Sequence, residues 1–328
     1  HEQGTRRPVG LVSKTEHRHR MGLARNALLW VSENRKLRQS LPKYKFIRRA
    51  VSRFMPGEDP EDAFRAAAEL SAKSISTILT HLGENIADEN EAKGVEDHYK
   101  GILDQIKKSN LDSYISVKLT QLGLDINEEL CYRNVVALVK QAQTLNNMVW
   151  IDMEQSSYVD RTLALYKRVR KDHSNVGVCL QAYLYRTKKD LEELLPLSPA
   201  IRLVKGAYAE PPNIAFPKKS DVDANYFALA KVLLGKAEQG VKVGIATHDK
   251  ALIQTVCQEA EKVGLTRKDY EFQLLYGIQT AEQFRLVADG YLVRVLISYG
   301  TYWFPWYVRR LAERPANVWF VLRNLFSA

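Results

Sequence analysis

VGVCLQAY at Val176–Tyr183 and IRLVKGAY at Ile201–Tyr208 carry the architecture of this chain. Each is a short apolar run, rich in β-branched residues, that ends on polar side chains, and the stretch between them has room for a helix and two loops. Parallel neighbours need such a crossover, so the pair reads as one βα unit of a parallel sheet. The same pattern recurs on both sides. Before the pair come SISTILT (Ser74–Thr80), YISVKLT (Tyr114–Thr120) and MVWIDME (Met148–Glu154); after it come VKVGIATH (Val241–His248), YEFQLLYG (Tyr270–Gly277) and LVRVLIS (Leu292–Ser298). Eight βα units in about 250 residues predict an α/β fold closed as a (βα)8 TIM barrel rather than an open sheet.

Helix starts are marked in the connections. Asn127 precedes Glu128–Leu145, Ser156 and Ser157 precede Val159–Arg170, Asp223 precedes Ala224–Ala237, and Thr280 precedes Ala281–Ala288, each a residue type that accepts from the free N–H groups of a first turn. MPGEDP at Met55–Pro60 reads as a hinge. It divides an N-terminal helical arm, residues 1–58, from a barrel domain, residues 59–328.

The charge separates at the same place. The 328 residues carry a formal charge of +10, but residues 1–53 alone hold a net +11 and the remainder a net −1. Within the arm, apolar residues (Leu28, Leu29, Trp30, Val31, Phe46, Ile47) alternate with Arg35, Lys36 and Arg38. A basic amphipathic segment of this kind either packs on the main domain with its charges in water or touches an anionic surface. No nucleic-acid motif or aromatic platform accompanies it, so no nucleic-acid partner is expected. No run approaches the ~18 apolar residues of a membrane span, and three cysteines without a CxxC pair fit a reducing compartment. A cytoplasmic protein is the expectation.

In a barrel of this type the working site lies at the carboxyl ends of the strands. Polar residues closing the runs are Lys118 and Thr120, Asp152 and Glu154, Gln181 and Tyr183, Lys205 and Tyr208, Thr247 and His248, with Gln273 and Tyr276 in the seventh. Each has a plain structural role open to it as well: Asp152 or Thr247 as a helix cap, Gln273 as a partner for backbone groups. A strand-end lysine, Lys118 or Lys205, serves either as a Schiff-base nucleophile or as a cation for an anionic ligand. There is no Gly-x-Gly and no phosphate-loop motif, and the scattered histidines give no metal site. The last segment, TYWFPWYVRRLAE (Thr301–Glu313), sets Arg309 beside Arg310 and places Glu313 one turn beyond Arg309. Such a helix is either solvated or laid across the pocket mouth, where both arginines would grip a carboxylate.

The strings ISVKLTQLGLD, IDMEQS, LQAYLYRT, RLVKGAY, IATHD, EFQLLYG and YVRRLAERPAN, in this order, closely resemble the proline dehydrogenase family, including its single-function bacterial members. The arm is similar to the helical segment that precedes that barrel, so the resemblance covers residues 21–326. It implies a distorted (βα)8 barrel with its final helix over the mouth and FAD bound without a covalent link. It also implies oxidation of L-proline to Δ1-pyrroline-5-carboxylate, with electrons passed to a membrane quinone and reversible contact of the basic arm with the membrane surface. By matching positions, Arg309 and Arg310 clamp the substrate carboxylate with Lys118 assisting, Asp152 lies close to Lys118, Glu313 orients the arginine helix, Glu84 pairs with Arg309 and Tyr208 walls the pocket. The flavin is held by Gln181, Arg202, Val204, Lys205, Gly206, Thr247 and His248, with Lys219 and Asp223 less firmly matched and Gln273 toward the adenosine side. Leu296 departs from the pattern, which has a Tyr there near the ring carbon distal to the carboxylate. Hydroxyproline or another cyclic imino acid therefore stands beside L-proline as substrate. A lysine-based carbonyl lyase on the same barrel, needing no flavin, is the reading of another class.

Overall fold

The computed structural model describes residues 51–83, 86–304 and 307. Its barrel unit is Arg53–Thr301. A lead-in helix α1 (Pro60–Ser71) is followed by β1 (Ser76–His81), α2 (Glu89–Lys108), β2 (Ser113–Val117), α3 (Glu128–Thr144), β3 (Val149–Ile151), α4 (Val159–Asp172), β4 (Val176–Gln181), α5 (Thr187–Leu194), β5 (Ala200–Val204), α6 (Lys219–Leu234), β6 (Lys242–Ala246), α7 (Lys250–Lys262), β7 (Tyr270–Leu275), α8 (Thr280–Ala288) and β8 (Leu292–Tyr299). The strands are hydrogen-bonded in chain order, all parallel, and β8 returns to β1 through pairs from Ser76↔Arg294 to His81↔Tyr299. The sheet is a closed eight-stranded barrel with helices between the strands, as the alternation of runs implied.

Local chemistry explains the elements. Asn127 turns its Oδ1 to the N–H groups of Glu129 and Leu130 (2.8 and 3.1 Å), and Asp88 does the same for Asn90 and Glu91 (both 2.9 Å); each satisfies donors that a first turn leaves open. Beyond the cap, Cys131, Val135, Leu138, Val139 and Ala142 recur at helical spacing and bury one stripe of α3 against the sheet. Three expected caps are otherwise placed. Ser156 and Ser157 lie in a short 3-10 turn, and Tyr158, which makes no side-chain cap bond, directly precedes α4. Asp223 lies inside the first turns of α6, which begins at Lys219, because its carboxylate is held by lysines described below. Thr280 is the first residue of α8 rather than its cap, and Gln279 before it has φ +51°.

Two apolar cores result. The larger fills the space between strands and helices, and the smaller lies within the barrel, where Ile78 (β1), Met148, Trp150 (β3) and Ala200 (β5) meet, with Tyr114 and Leu296 packed on them. Residues in register on neighbouring strands face the same side, so Trp150↔Gly177, Arg202↔Gly244 and Gln273↔Arg294 follow the interior round the barrel. Gly244 leaves room there: a Cβ on it would stand 2.8 Å from Gln273 Nε2. Among the described residues no helix is long and apolar enough to cross a membrane. Cys131 and Cys179 are buried and Cys257 is half-buried.

Candidate active site

Arg202 is at the centre of the interior. It lies in the apolar run of β5 and is 4% exposed, so its charge and its donors need partners within the barrel. It finds them on strands that are not its neighbours in the sheet. Nη1 donates to Asp152 Oδ1 just past β3 (2.6 Å) and to Ser116 Oγ on β2 (3.1 Å), and Nε donates to Gln273 Oε1 on β7 (2.5 Å). The guanidinium carbon stands 4.8 Å from the centre of the Trp150 ring, a cation on an aromatic face. Asp152 also accepts from Ser116 Oγ (2.7 Å). It is therefore no helix cap; it is the counter-charge of Arg202.

Among the buried polar atoms of this region that have no partner among the described residues are Arg202 Nη2, a donor, and Gln181 Oε1, an acceptor; the Trp150 Nε1 donor is another. The first two come from β5 and β4, which pair directly, and both belong to the carboxyl-terminal half of the barrel. A buried polar group without a partner costs about 1–3 kcal/mol, so a site of this kind fits a ligand with a polar heterocycle that both accepts and donates. Val204, in register with Gln181, shares that face.

The loops after β5 and β6 carry a second cluster. Lys205 Nζ donates to Asp223 and, at 2.9 Å, to Asp249; Lys219 Nζ donates to Asp223 and, at 3.0 Å, to Asp249. Burial acts to raise the Asp249 carboxyl, but the two ammonium groups outweigh it and hold that carboxyl far below the usual carboxylate range. Its hydrogen bond to Asp223, and next to that its bond to Asp249, push Lys219 up. Asp249 did not stand out in the sequence, although it closes the IATHD string. Thr247 Oγ1 accepts from the Asp249 N–H (3.2 Å), and His248 Nε2 accepts from the Leu275 N–H (2.9 Å), which leaves the ring proton on Nδ1 and ties the end of β6 to β7. Gly206 has φ +120°, and the Tyr183 ring lies against it; a side chain here would be strained and would meet that ring.

Two carboxylates order the rim: Glu154, which closes the third run, and Glu210, which the sequence reading did not single out. Glu154 accepts from Thr120 N–H and Oγ1 (3.2 and 2.8 Å), and Glu210 accepts from Ser156 N–H and Oγ (2.7 and 2.6 Å). Each joins loops that follow different strands, and neither spacing is local enough to be read from the chain. Lys118 and Tyr208 lie half-buried on this rim. Lys118 is close enough to His81 to act on its charge: burial first, then His98 and Lys118, push the His81 imidazole down to about 4. Leu296 faces the interior beside Ile78 and Leu275 and packs on the Trp150 cluster. Gln273 also faces inward, its amide bonded on both sides, to Arg202 and to Glu271. Glu84, Arg309, Arg310 and Glu313 lie outside the described residues.

A family model described as proline dehydrogenase matches residues 63–323. The chain belongs to the proline dehydrogenase family. Curated relatives cover almost its whole length. It is 36% identical over 305 residues to proline dehydrogenase 1 of Bacillus subtilis subsp. natto, covering 93% of this chain and 100% of that one. It is 34% identical over 310 residues to proline dehydrogenase of Deinococcus radiodurans, covering 93% and 98%. In fold it resembles the solved proline utilization A of Bdellovibrio bacteriovorus, with a TM-score of 0.78 at 22% identity over 92% of this chain and 37% of that longer one. Proline dehydrogenases are oxidoreductases of proline catabolism.

Proposed function

We propose that this proline dehydrogenase holds FAD without a covalent bond in the mouth of its barrel, oxidises L-proline to Δ1-pyrroline-5-carboxylate and passes the electrons to a membrane quinone. The observation that carries the reading is the pair of buried polar atoms without a partner among the described residues, Arg202 Nη2 and Gln181 Oε1, on the same face of the neighbouring strands β5 and β4, two residues apart in register. When bound, the flavin supplies an acceptor for hydride. Gln181, Arg202, Val204, Gly206, Thr247 and His248 would hold it, with Lys205, Lys219 and Asp223 on the loops beside them.

The rest is the work of the chain's own side chains. Arg309 and Arg310, with Lys118, bind the substrate carboxylate through charge-assisted hydrogen bonds and so fix which ring carbon faces the acceptor. Glu313 orients the arginine helix, Glu84 pairs with Arg309, and closure of that helix excludes water. Asp152 balances the charge of Arg202, and Tyr208 walls the pocket. The Schiff-base alternative is disfavoured at Lys205, because its Nζ is engaged by Asp223 and Asp249 where a lyase needs a free amine. A basic arm held at the bilayer surface would bring the site to a lipid-dissolved quinone.

A second substrate reading follows from one residue. Leu296 presents an aliphatic, partly exposed wall to the interior, which leaves hydroxyproline or another cyclic imino acid as an alternative. The absorption spectrum of the purified protein, recorded without oxygen before and after L-proline, tests the proposal. Bands near ~375 and ~450 nm that bleach are expected of a flavin taking hydride. Bands that only hydroxyproline bleaches would move the substrate, and a colourless protein that neither binds added FAD nor gains activity would end the proposal.

A further inference from the structure

Beneath Arg202 a line of charged and amide groups descends through the barrel. Gln273 Nε2 donates to Glu271 Oε1 (2.6 Å); Arg294 Nε donates to both Glu271 oxygens (3.2 and 3.1 Å); Arg294 Nη1 donates to Asp112 Oδ1 (3.1 Å) near the amino-terminal end of the barrel. Glu271, Gln273 and Arg294 are all buried. The direction of this line is forced. A carboxylate only accepts, so Glu271 admits only the NH2 end of the Gln273 amide, and the carbonyl oxygen must turn to Arg202. With the amide reversed, its NH2 would face the Arg202 N–H and its oxygen would face a carboxylate, two repulsive contacts at once. Gly244 leaves this amide its space.

We propose that Glu271 is a positioning residue for Arg202: acting through the Gln273 amide, it fixes the Nε edge of the guanidinium and so the plane in which Nη2 is offered to the flavin. Asp152 and Ser116 hold only the Nη1 side; without an oriented acceptor at Nε the group is free to turn about that anchor. Glu271 touches neither substrate nor cofactor. This inference rests on the flavin reading above.

The test uses the full-length protein, stripped of flavin and titrated with FAD. Its readouts are the FAD dissociation constant, the midpoint potential of the bound flavin and the melting temperature of the apoprotein. Glu271→Gln frees the Gln273 amide to reverse, and the loss of an oriented hydrogen bond to a charged group is expected to weaken FAD binding about tenfold or more and to shift the potential. The exchange E271Q with Q273E restores the pattern, since the new amide donates upward to Glu and accepts from Arg294 while Arg202 again meets an acceptor. Recovery of FAD affinity and potential in the double variant supports the role. If Glu271→Gln does not fold, Gln273→Met, which leaves the Glu271–Arg294 pair whole, carries the same expectation. Unchanged affinity and potential in a folded single variant, or loss in the double variant equal to that in the single one, overturns the positioning role. Failure of the wild-type apoprotein to bind FAD would instead overturn the flavin reading, and this inference with it.

Discussion

Asp152 and Arg202 meet at 2.6 Å across the interior of the barrel, the carboxylate open to the mouth and the guanidinium almost wholly enclosed. Their strands are not neighbours, since β4 lies between them; the pair therefore bridges the lumen and does not reinforce the sheet. An enclosed cation that keeps one donor without a described partner is costly for folding and useful for binding. Sites that act on a ligand are where such costs are retained.

Removing the counter-charge tests how much the fold depends on it. Asp152→Asn leaves Arg202 with a neutral acceptor, and stability should fall by about 1–3 kcal/mol, the cost of an unsatisfied buried polar partner. Denaturant unfolding measures it. Ser116→Ala in the same background should be non-additive with Asp152→Asn, because both residues hold Nη1.

The lysine cluster should split by exposure. Lys219 is 73% exposed and Lys205 only 24%. Solvent screens the first, so Lys219→Ala should change stability by no more than about 1 kcal/mol, as exposed pairs do. Lys205→Met leaves Asp223 and Asp249 facing each other without their shared inner cation, and should cost more stability and loosen FAD as well. Melting curves with and without added FAD separate the two variants.

His81 gives a pH dependence of definite sign. Its ordinary value near 6.5 falls to about 4 in the fold, through burial, His98 and Lys118. Between those two values the unfolded chain binds the proton and the native one does not, so stability declines as pH is lowered through that window and is retained above it. His81→Gln should flatten the part of the melting-temperature profile between pH ~6.5 and ~4 that this group supplies. An unaltered slope would show that the decline belongs to another group, such as the neighbouring His98, whose imidazole burial also lowers.

Most of the barrel could be read from the chain because it depends on local pattern: IRLVKGAY yields β5 at Ala200–Val204, and VGVCLQAY yields β4 at Val176–Gln181. MVWIDME yields only Val149–Ile151; Asp152 still donates its N–H to the Val117 carbonyl (2.9 Å) while its side chain turns to Arg202, and Glu154 turns to Thr120. What composition and period could not show is non-local. Arg202 sits within an apolar run, and only the family resemblance singled it out, because its partners come from residues 50 and 71 positions away. Glu271 and Arg294 gave no signal at all, each being one charge within a strand. Asp223 read as a cap by type and proved to be an ion-pair partner by position.

Leu296 offers the sharpest test of substrate choice. Its side chain lies on the inner face of β8, next to Ile78 and Leu275 in register and against the Trp150 cluster. An aliphatic wall cannot strongly reject a substrate that merely adds a hydroxyl; discrimination by such a surface is limited to about 100-fold. The wild-type enzyme should therefore prefer L-proline over 4-hydroxyproline by no more than about that factor in kcat/KM. Leu296→Tyr brings in the larger side chain that the family pattern has here, narrows the pocket near the distal ring carbon and adds a hydroxyl needing a partner. It should lower kcat/KM for 4-hydroxyproline more than for L-proline. Steady-state rates with both substrates decide it: a ratio that does not move on Leu296→Tyr removes this wall from substrate selection.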